Sequence, residues 1–365
     1  MTSATTGPSA TAAPTPTPLL EVRNIVTEYR QGAGAASALT RRSPSVVRAV
    51  DDVSFTVQRG EMLALVGESG CGKTSTAQTV LRLVDAASGS VLFRGQDITR
   101  LSRSQLRPLR QHMQVVYQDP YESLNPRFRV RQIVEEPLHI HRMGSSREER
   151  RKLVVEALER VDLRPAQRYL DRFPHELSGG QRQRVAIATA LVVHPELLIA
   201  DEPVSMLDVS VRAGIMSLLR GLCQQESLGM VMITHDLAVA AHFANRIAVM
   251  YLGRVVECGP ARDVLRRPQH PYTQALCDVA PRRNQNRLTK RPMTLRGEPG
   301  SAAAIPPGCR FHPRCPIAEP QCADNDPRLQ PVAGAVPGHE AACLLVPYPP
   351  LVPSSTQPPQ LSDPA

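Results

Sequence analysis

Residues 61–75 read EMLALVGESGCGKTS. An apolar run stops at a glycine, and glycines recur at positions 70 and 72 before Lys73 and Thr74. A short continuous apolar run fits a strand buried on both faces of a parallel sheet. Gly67-x4-Gly72-Lys73-Thr74 then lets the backbone curl until its N–H groups converge on phosphate oxygens. A helix beginning at the lysine aims its N-terminus at the same anion. Of 43 basic residues only Lys73, Lys152 and Lys290 are lysine. A compact ammonium suits the space beside β- and γ-phosphates better than a guanidinium fork. Thr74 supplies a hydroxyl for Mg²⁺. A plain glycine-rich turn is the competing reading, but it does not require strand, motif and helix in this order.

The rest of the chain supplies a sheet around that strand. Residues 19–29 alternate like a strand, 31–45 form a loop insertion, and 46–57 resume strand character. Further strands are expected at 197–200, 230–234 and 247–252, the last turning at Gly253 into a partner strand. Helices at 74–84 and 211–225 alternate with them, which implies a mostly parallel α/β sheet. Between about 119 and 195 the strand signal vanishes, and Leu153, Val154, Leu158 and Val161 recur at helical spacing, so a helical insertion is expected there. The Thr/Ala/Pro-rich residues 1–18 and the proline-rich tail from 347 read as disordered.

Three strand ends carry chemistry. Asp201 and Glu202 follow an apolar run, at the edge where open α/β sheets bind ligands. Asp201 would hold Mg²⁺ through water, and Glu202 would orient or deprotonate an attacking water. Acidic caps of a helix would explain one carboxylate but not the pair. His235 closes a third apolar run and would hydrogen-bond a γ-phosphate; alone, such a histidine is usually structural. Ser178-Gly179-Gly180-Gln181 opens a second helix, with free N–H groups and a dipole of its own. Two phosphate-binding helix starts do not easily reach one nucleotide within one chain. A dimer in which each ATP lies between the P-loop of one subunit and this helix of its partner is the economical arrangement.

With these motifs in order, residues 19–262 resemble the nucleotide-binding subunit of an ABC transporter. Gly67, Glu68, Ser69, Gly70, Cys71, Gly72, Lys73, Thr74 and Ser75 are similar to the Walker A loop. Gln118 resembles the Q-loop glutamine, which the resemblance places near both the metal and the γ-phosphate. Leu177–Gln181 resembles the signature motif, Asp201 and Glu202 the Walker B pair, and His235 the switch histidine. Residues 205–208 resemble the D-loop, ending at Asp208, with Met206 where alanine is usual. Tyr29 matches the aromatic that stacks on adenine. Thr74-Ser75 stands where the family more often has Ser-Thr. The expected fold is thus an α/β, RecA-like P-loop ATPase core with an antiparallel β subdomain and a helical subdomain.

VYQDPYESLNPR, PVSMLDVSVR and RRPQHPYTQALC further resemble the ATPases of dipeptide/oligopeptide or nickel permeases. The wording around Tyr121 leans to the second of the two ATPase subunits that such permeases carry. The resemblance implies ATP hydrolysis driving peptide import at the cytoplasmic face of the membrane. Its partners would be a second ATPase subunit, two integral membrane permease subunits and, indirectly, an extracytoplasmic substrate-binding protein. The +9 formal charge also allows an ABC ATPase acting on nucleic acid or the ribosome. Such proteins generally carry two ATPase heads or long coiled coils, which this sequence lacks, so no nucleic acid is expected. A P-loop kinase would have no use for the Ser178–Gln181 motif.

The C-terminal extension, residues 263–346, contributes Cys309-x5-Cys315-x6-Cys322-x20-Cys343. No stretch is apolar enough to span a bilayer and the N-terminus is not a secretion signal, so a reducing cytoplasm is expected. Four cysteines there point to zinc, an iron–sulfur cluster or plain thiols. Structural zinc prefers closer pairs, and the resemblance implies a [4Fe–4S] cluster at these positions, with His312 an alternative ligand. Cys71, Cys223, Cys258 and Cys277 read as packing thiols.

Overall fold

The computed structural model describes residues 17–31, 45–119, 123–279, 295 and 300–346. The expectations for residues 1–16 and 347–365, for most of the loop insertion and for Tyr121 lie outside these residues.

Two sheets make up the fold. The first runs β2 (Ser45–Val57), β1 (Leu20–Gln31), β4 (Ser88–Phe93), β5 (Gln96–Asp97), all antiparallel. Leu20 and Val22 enter the core, then the pleat slips at Asn24, which sits at φ 47° with its N–H on Ser54 Oγ at 2.8 Å. That bulge re-phases β1 so that Ile25 and Thr27 also point inward.

The second sheet is built on β3 (Met62–Val66), flanked in parallel by β8 (Gly229–Thr234) and β9 (Arg246–Tyr251). It continues through β7 (Leu197–Asp201) to β6 (Met113–Val116). All five residues of β3 are buried. Met62, Ala64 and Val66 pack on one face with the helices Gly179–Leu191 and Val209–Glu226. Leu63 and Leu65 pack on the other with the first sheet and the helix Lys73–Val80. Each such buried aliphatic side chain contributes about 1.5–3 kcal/mol, so the unbroken apolar run is what a strand between two cores requires.

The helical insertion is present. Val130–His141, Arg147–Arg160 and Gly179–Leu191 are helices, and no strand occurs among the described residues between β6 and β7. Ser146 caps the second of them by accepting the Glu149 N–H at 3.1 Å. Helix 73–80 is shorter than expected because the chain turns into the left-handed region at Arg82, φ 55°. β4, β5 and β6 were not expected: β4 opens on exposed Ser88 and Gly89, and β6 is four residues long.

The extension is packed onto the core. β10 (Arg254–Pro260) is antiparallel to β9 and pairs with β12 (Glu340–Ala341), which pairs with β11 (Gln330–Pro331). Glu257, fully buried in β10, accepts N–H groups from Gln269 at 2.9 Å and His270 at 2.8 Å. It also meets His339 Nε2 at 2.8 Å. These bonds satisfy a carboxylate that would be costly to bury alone. Tyr272 and Phe311 share a core cluster with Met62 of β3.

Candidate nucleotide site

The P-loop follows β3 as expected. Gly72 sits at φ 104°, and a Cβ there would lie 2.3 Å from the Ala49 carbonyl oxygen, so only glycine fits. Lys73 is buried, and its ammonium donates to the carbonyls of Gly67 at 2.7 Å and Glu68 at 2.9 Å. The cation is thereby held in the mouth of the loop. Cys71 is buried beside it: burial raises its thiol and Lys73 opposes the rise. Ser75 and Gln78, on the helix that follows, meet the Tyr29 hydroxyl at 3.3 Å each. Tyr29 therefore lies across the first turns of that helix.

Asp201 and Glu202, expected as the Walker B pair, meet the loop at the end of β7. Asp201 is buried and bonds to the Thr74 side chain. Burial raises its carboxyl, the Thr74 hydroxyl opposes the rise, Glu202 adds to it and Lys73 opposes it. A buried carboxylate and a hydroxyl in contact are a ready pair of oxygen donors for Mg²⁺. Glu202 takes φ 44° and donates its N–H to the Ile233 carbonyl at 3.0 Å. Its carboxylate lies 3.2 Å from His235 Nδ1 and accepts from Gln118 Nε2 at 3.3 Å. Three residues from three strand ends thus converge, two of them exposed. A cleft of about 740 Å³ runs from Thr74 and Asp201 past Gln118 to Pro137 and Thr189 of the helical insertion.

The second helix start is capped from within. Ser178 Oγ accepts the Gln181 N–H at 3.3 Å, and Gln181 Oε1 accepts the Ser178 N–H at 3.1 Å. Gly180 packs on Val211, where a Cβ would come within 2.5 Å of Cγ1. Asp208 is exposed at the start of helix 209–226, and its side chain makes no cap bond. Met206 and Val209 beside it are exposed, at 63% and 81%.

Contacts from the extension were not expected. Glu68 donates its N–H to the Tyr272 hydroxyl at 2.9 Å, and its carboxylate takes Arg314 in a two-pronged pair at 2.8 and 3.1 Å. Separations of 204 and 246 residues leave no local signal for such contacts.

The cysteines of the extension are brought near one another. Cys315, Cys322 and Cys343 are buried and Cys309 half-buried. Burial pushes the Cys309 thiol up to about 11, and the Cys343, Cys322 and Cys315 thiols add to the rise. Cys309 N–H donates to the Cys322 carbonyl at 2.8 Å, and His312 Nδ1 meets the Cys309 carbonyl at 2.8 Å. Among the described residues no three His, Cys, Asp or Glu side chains converge as metal ligands. The donor type suits a soft metal or cluster, but the [4Fe–4S] expectation is not established. Cys71, Cys223, Cys258 and Cys277 are buried thiols, as expected.

A P-loop, a carboxylate pair at the adjoining strand end and a separately capped glycine helix define an ATP-binding cassette. The ABC transporter family profile matches residues 50–205, and the C-terminal region of oligopeptide/dipeptide transporters matches 256–322. An oligopeptide transport ATP-binding protein, AppF of Bacillus subtilis, is 44% identical over 329 residues, covering 90% of this chain and 97% of that one. A probable peptide ABC transporter ATP-binding protein, y4tS of Sinorhizobium fredii, is 46% identical over 325 residues, 89% of each chain. Among solved structures, the dimeric structure of MJ0796, a bacterial ABC transporter cassette, matches at TM-score 0.57 and 30% identity. It covers 67% of this chain and 99% of that one. The chain belongs to the ATP-binding subunits of ABC transporters, within the oligopeptide/dipeptide group, and is an ABC-type ATPase. No described helix is long and apolar enough to cross a membrane.

Proposed function

We propose that this chain hydrolyses ATP to drive uptake of di- or oligopeptides, docked peripherally on the cytoplasmic face of a membrane. The observation that carries the chemistry is the meeting of Gln118 and His235 on Glu202, one residue from Asp201. In this reading Lys73 leaves the Gly67 and Glu68 carbonyls for the β- and γ-phosphates, and backbone N–H groups of residues 69–75 take the remaining oxygens. Thr74, Asp201 and Gln118 would hold Mg²⁺, which supplies charge neutralisation between the phosphates. Glu202 accepts a proton from the attacking water, and His235 and Gln118 hold that water and the γ-phosphate. Tyr29 stacks on adenine.

Ser178, Gly179, Gly180 and Gln181 would face the nucleotide of a second ATPase subunit, with Asp208 at the same interface. The capping of Ser178 and Gln181 supports this, because it fixes the start of a helix whose dipole favours an anion, with Ser178 exposed at that end. The dimeric MJ0796 cassette supports it too. ATP binding closes the two subunits and hydrolysis releases them, a shift set by the differential affinity of the closed state for ATP over ADP. The Gln118 segment would pass this motion to two membrane permease subunits served by an extracytoplasmic substrate-binding protein. Peptide rather than nickel or nucleic acid is favoured by the peptide-transport relatives along the chain. Residues 19–262 would form the nucleotide-binding domain, with the helical part at about 119–195, and 263–346 the extension. Cys309, Cys315, Cys322 and Cys343 would hold a [4Fe–4S] cluster; iron and sulfide in anaerobically purified protein support that, and zinc without iron refutes it.

Glu202→Gln tests the catalytic reading. Hydrolysis is expected to fall by about 10²–10⁴ with ATP still bound. Normal turnover in that variant would remove Glu202 from the role.

A further inference from the structure

One loop of the extension, between Cys309 and Cys315, reaches the P-loop by several routes. Arg314 clasps the Glu68 carboxylate. Phe311 packs against Tyr251 and Tyr272, ring centroids 5.2 and 5.4 Å away, and the Tyr272 hydroxyl holds the Glu68 N–H. Arg310 bonds the Leu252 carbonyl. The next residue, Gly253, donates its N–H to the Cys71 carbonyl inside the P-loop at 2.8 Å. We infer that Arg314 and Tyr272 are positioning residues for nucleotide, fixing and neutralising Glu68 so that the P-loop keeps an anion-accepting cradle. The inference rests on the P-loop reading above.

The electrostatic logic gives the sign. Glu68 sits within the phosphate loop, and its negative charge adds to the upward shift of the buried Cys71 thiol three residues on. Left alone, that carboxylate opposes the arrival of a triphosphate. Arg314, whose side chain is 8% exposed against 28% for Glu68, cancels it at short range and ties it to the extension. Tyr272 does a different task. Its hydroxyl accepts the Glu68 N–H, just before the cradle, and so anchors the first bend after Gly67. A phenolic oxygen this deep in the core, on a ring packed on Tyr251 at 4.8 Å, has little freedom to follow a loop that opens. Nucleotide affinity is therefore set in part by the extension, outside all the phosphate-binding motifs.

The test is binding of a fluorescent ATP analogue with Mg²⁺ to the full chain. Arg314→Gln is expected to weaken binding about two- to tenfold, less at high salt. Adding Glu68→Gln should return affinity to the level of Glu68→Gln alone, and Arg314→Lys should recover part of it. Tyr272→Phe removes one hydroxyl and should weaken binding with little salt dependence; it decides the matter if Arg314→Gln does not fold. Arg328→Gln breaks another tie of the extension to the core, at Asp52, and should leave affinity unchanged. Wild-type affinity in both Arg314→Gln and Tyr272→Phe overturns the inference. So does a double variant no better than Arg314→Gln, or an equal loss in Arg328→Gln. Lys73→Ala binding as well as wild type would overturn the P-loop reading itself, and the inference with it.

Discussion

Asp51 is one of the buried points where the extension meets the core, and replacing it with asparagine isolates that contact. Its side chain is 8% exposed and pairs with Arg310, also 8% exposed, and with Arg254 at 3.2 Å. Arg48 adds a longer contact at 3.4 Å. Asp51→Asn leaves the Arg310 and Arg254 guanidinia facing each other with only the half-exposed Asp326, on Arg254, as counter-charge. Breaking a buried pair in this way costs about 3–5 kcal/mol. In a chain of 365 residues that lowers Tm by about 4–7 °C. Arg310→Met should cost less, about 1–3 kcal/mol, because Asp51 keeps Arg254 and Arg48 and only the Leu252 carbonyl loses its donor. The sign with pH is fixed. Burial raises the Asp51 carboxyl, but Arg310, Arg254 and Arg48 outweigh it and hold the carboxyl below its usual range. A depressed carboxylate contributes stability above its unfolded pKa of about 3.9 and loses it as pH falls through the folded value. The gap between wild type and Asp51→Asn should therefore be full at pH 7 and close below about pH 4. Thermal melts from pH 7 downward measure this. A gap that is absent at pH 7, or that widens in acid, refutes the reasoning.

Two further outcomes follow from single atoms. Gly180→Val should destabilise the chain by about 1–3 kcal/mol through overlap with Val211, and Val211→Ala should restore most of it, read by urea melts. Asp201→Asn should raise the Tm of nucleotide-free protein at pH 7. Its folded carboxyl lies above the unfolded value, chiefly through burial, so ionisation at neutral pH costs folding energy that asparagine does not incur. The same variant should lose the added stability that Mg²⁺ and ATP confer on wild type. A lower Tm for Asp201→Asn without ligand would contradict this.

What was legible in the sequence was local. EMLALV reads as a buried strand because both of its faces are apolar, and its alternate residues do enter two different cores. Ser178 and Gln181 announce a helix start because both partners of the cap lie within four residues. β6 was missed because four residues carry too little pattern to separate strand from loop. The end of helix 73–80 at Arg82 was missed because arginine gives no sign of a left-handed turn. The clasp of Arg314 on Glu68 and of Arg310 on Asp51 was invisible for another reason. Each joins residues about 250 positions apart, and nothing in either neighbourhood names the other. Glu202 and His235 were legible as ends of apolar runs at one sheet edge and Gln118 through the family resemblance, whereas their direct contacts on the Glu202 carboxylate were not.

The most direct test is the mass and structure of the Glu202→Gln chain, with its partner ATPase subunit where one is needed, under saturating Mg²⁺ and ATP. Two subunits are expected to enclose each nucleotide, Lys73 from one and Ser178 from the other, and Ser178→Arg should block that association while leaving nucleotide binding intact. A triphosphate fully enclosed by a single subunit, with its own Ser178 against the γ-phosphate, would contradict the shared site.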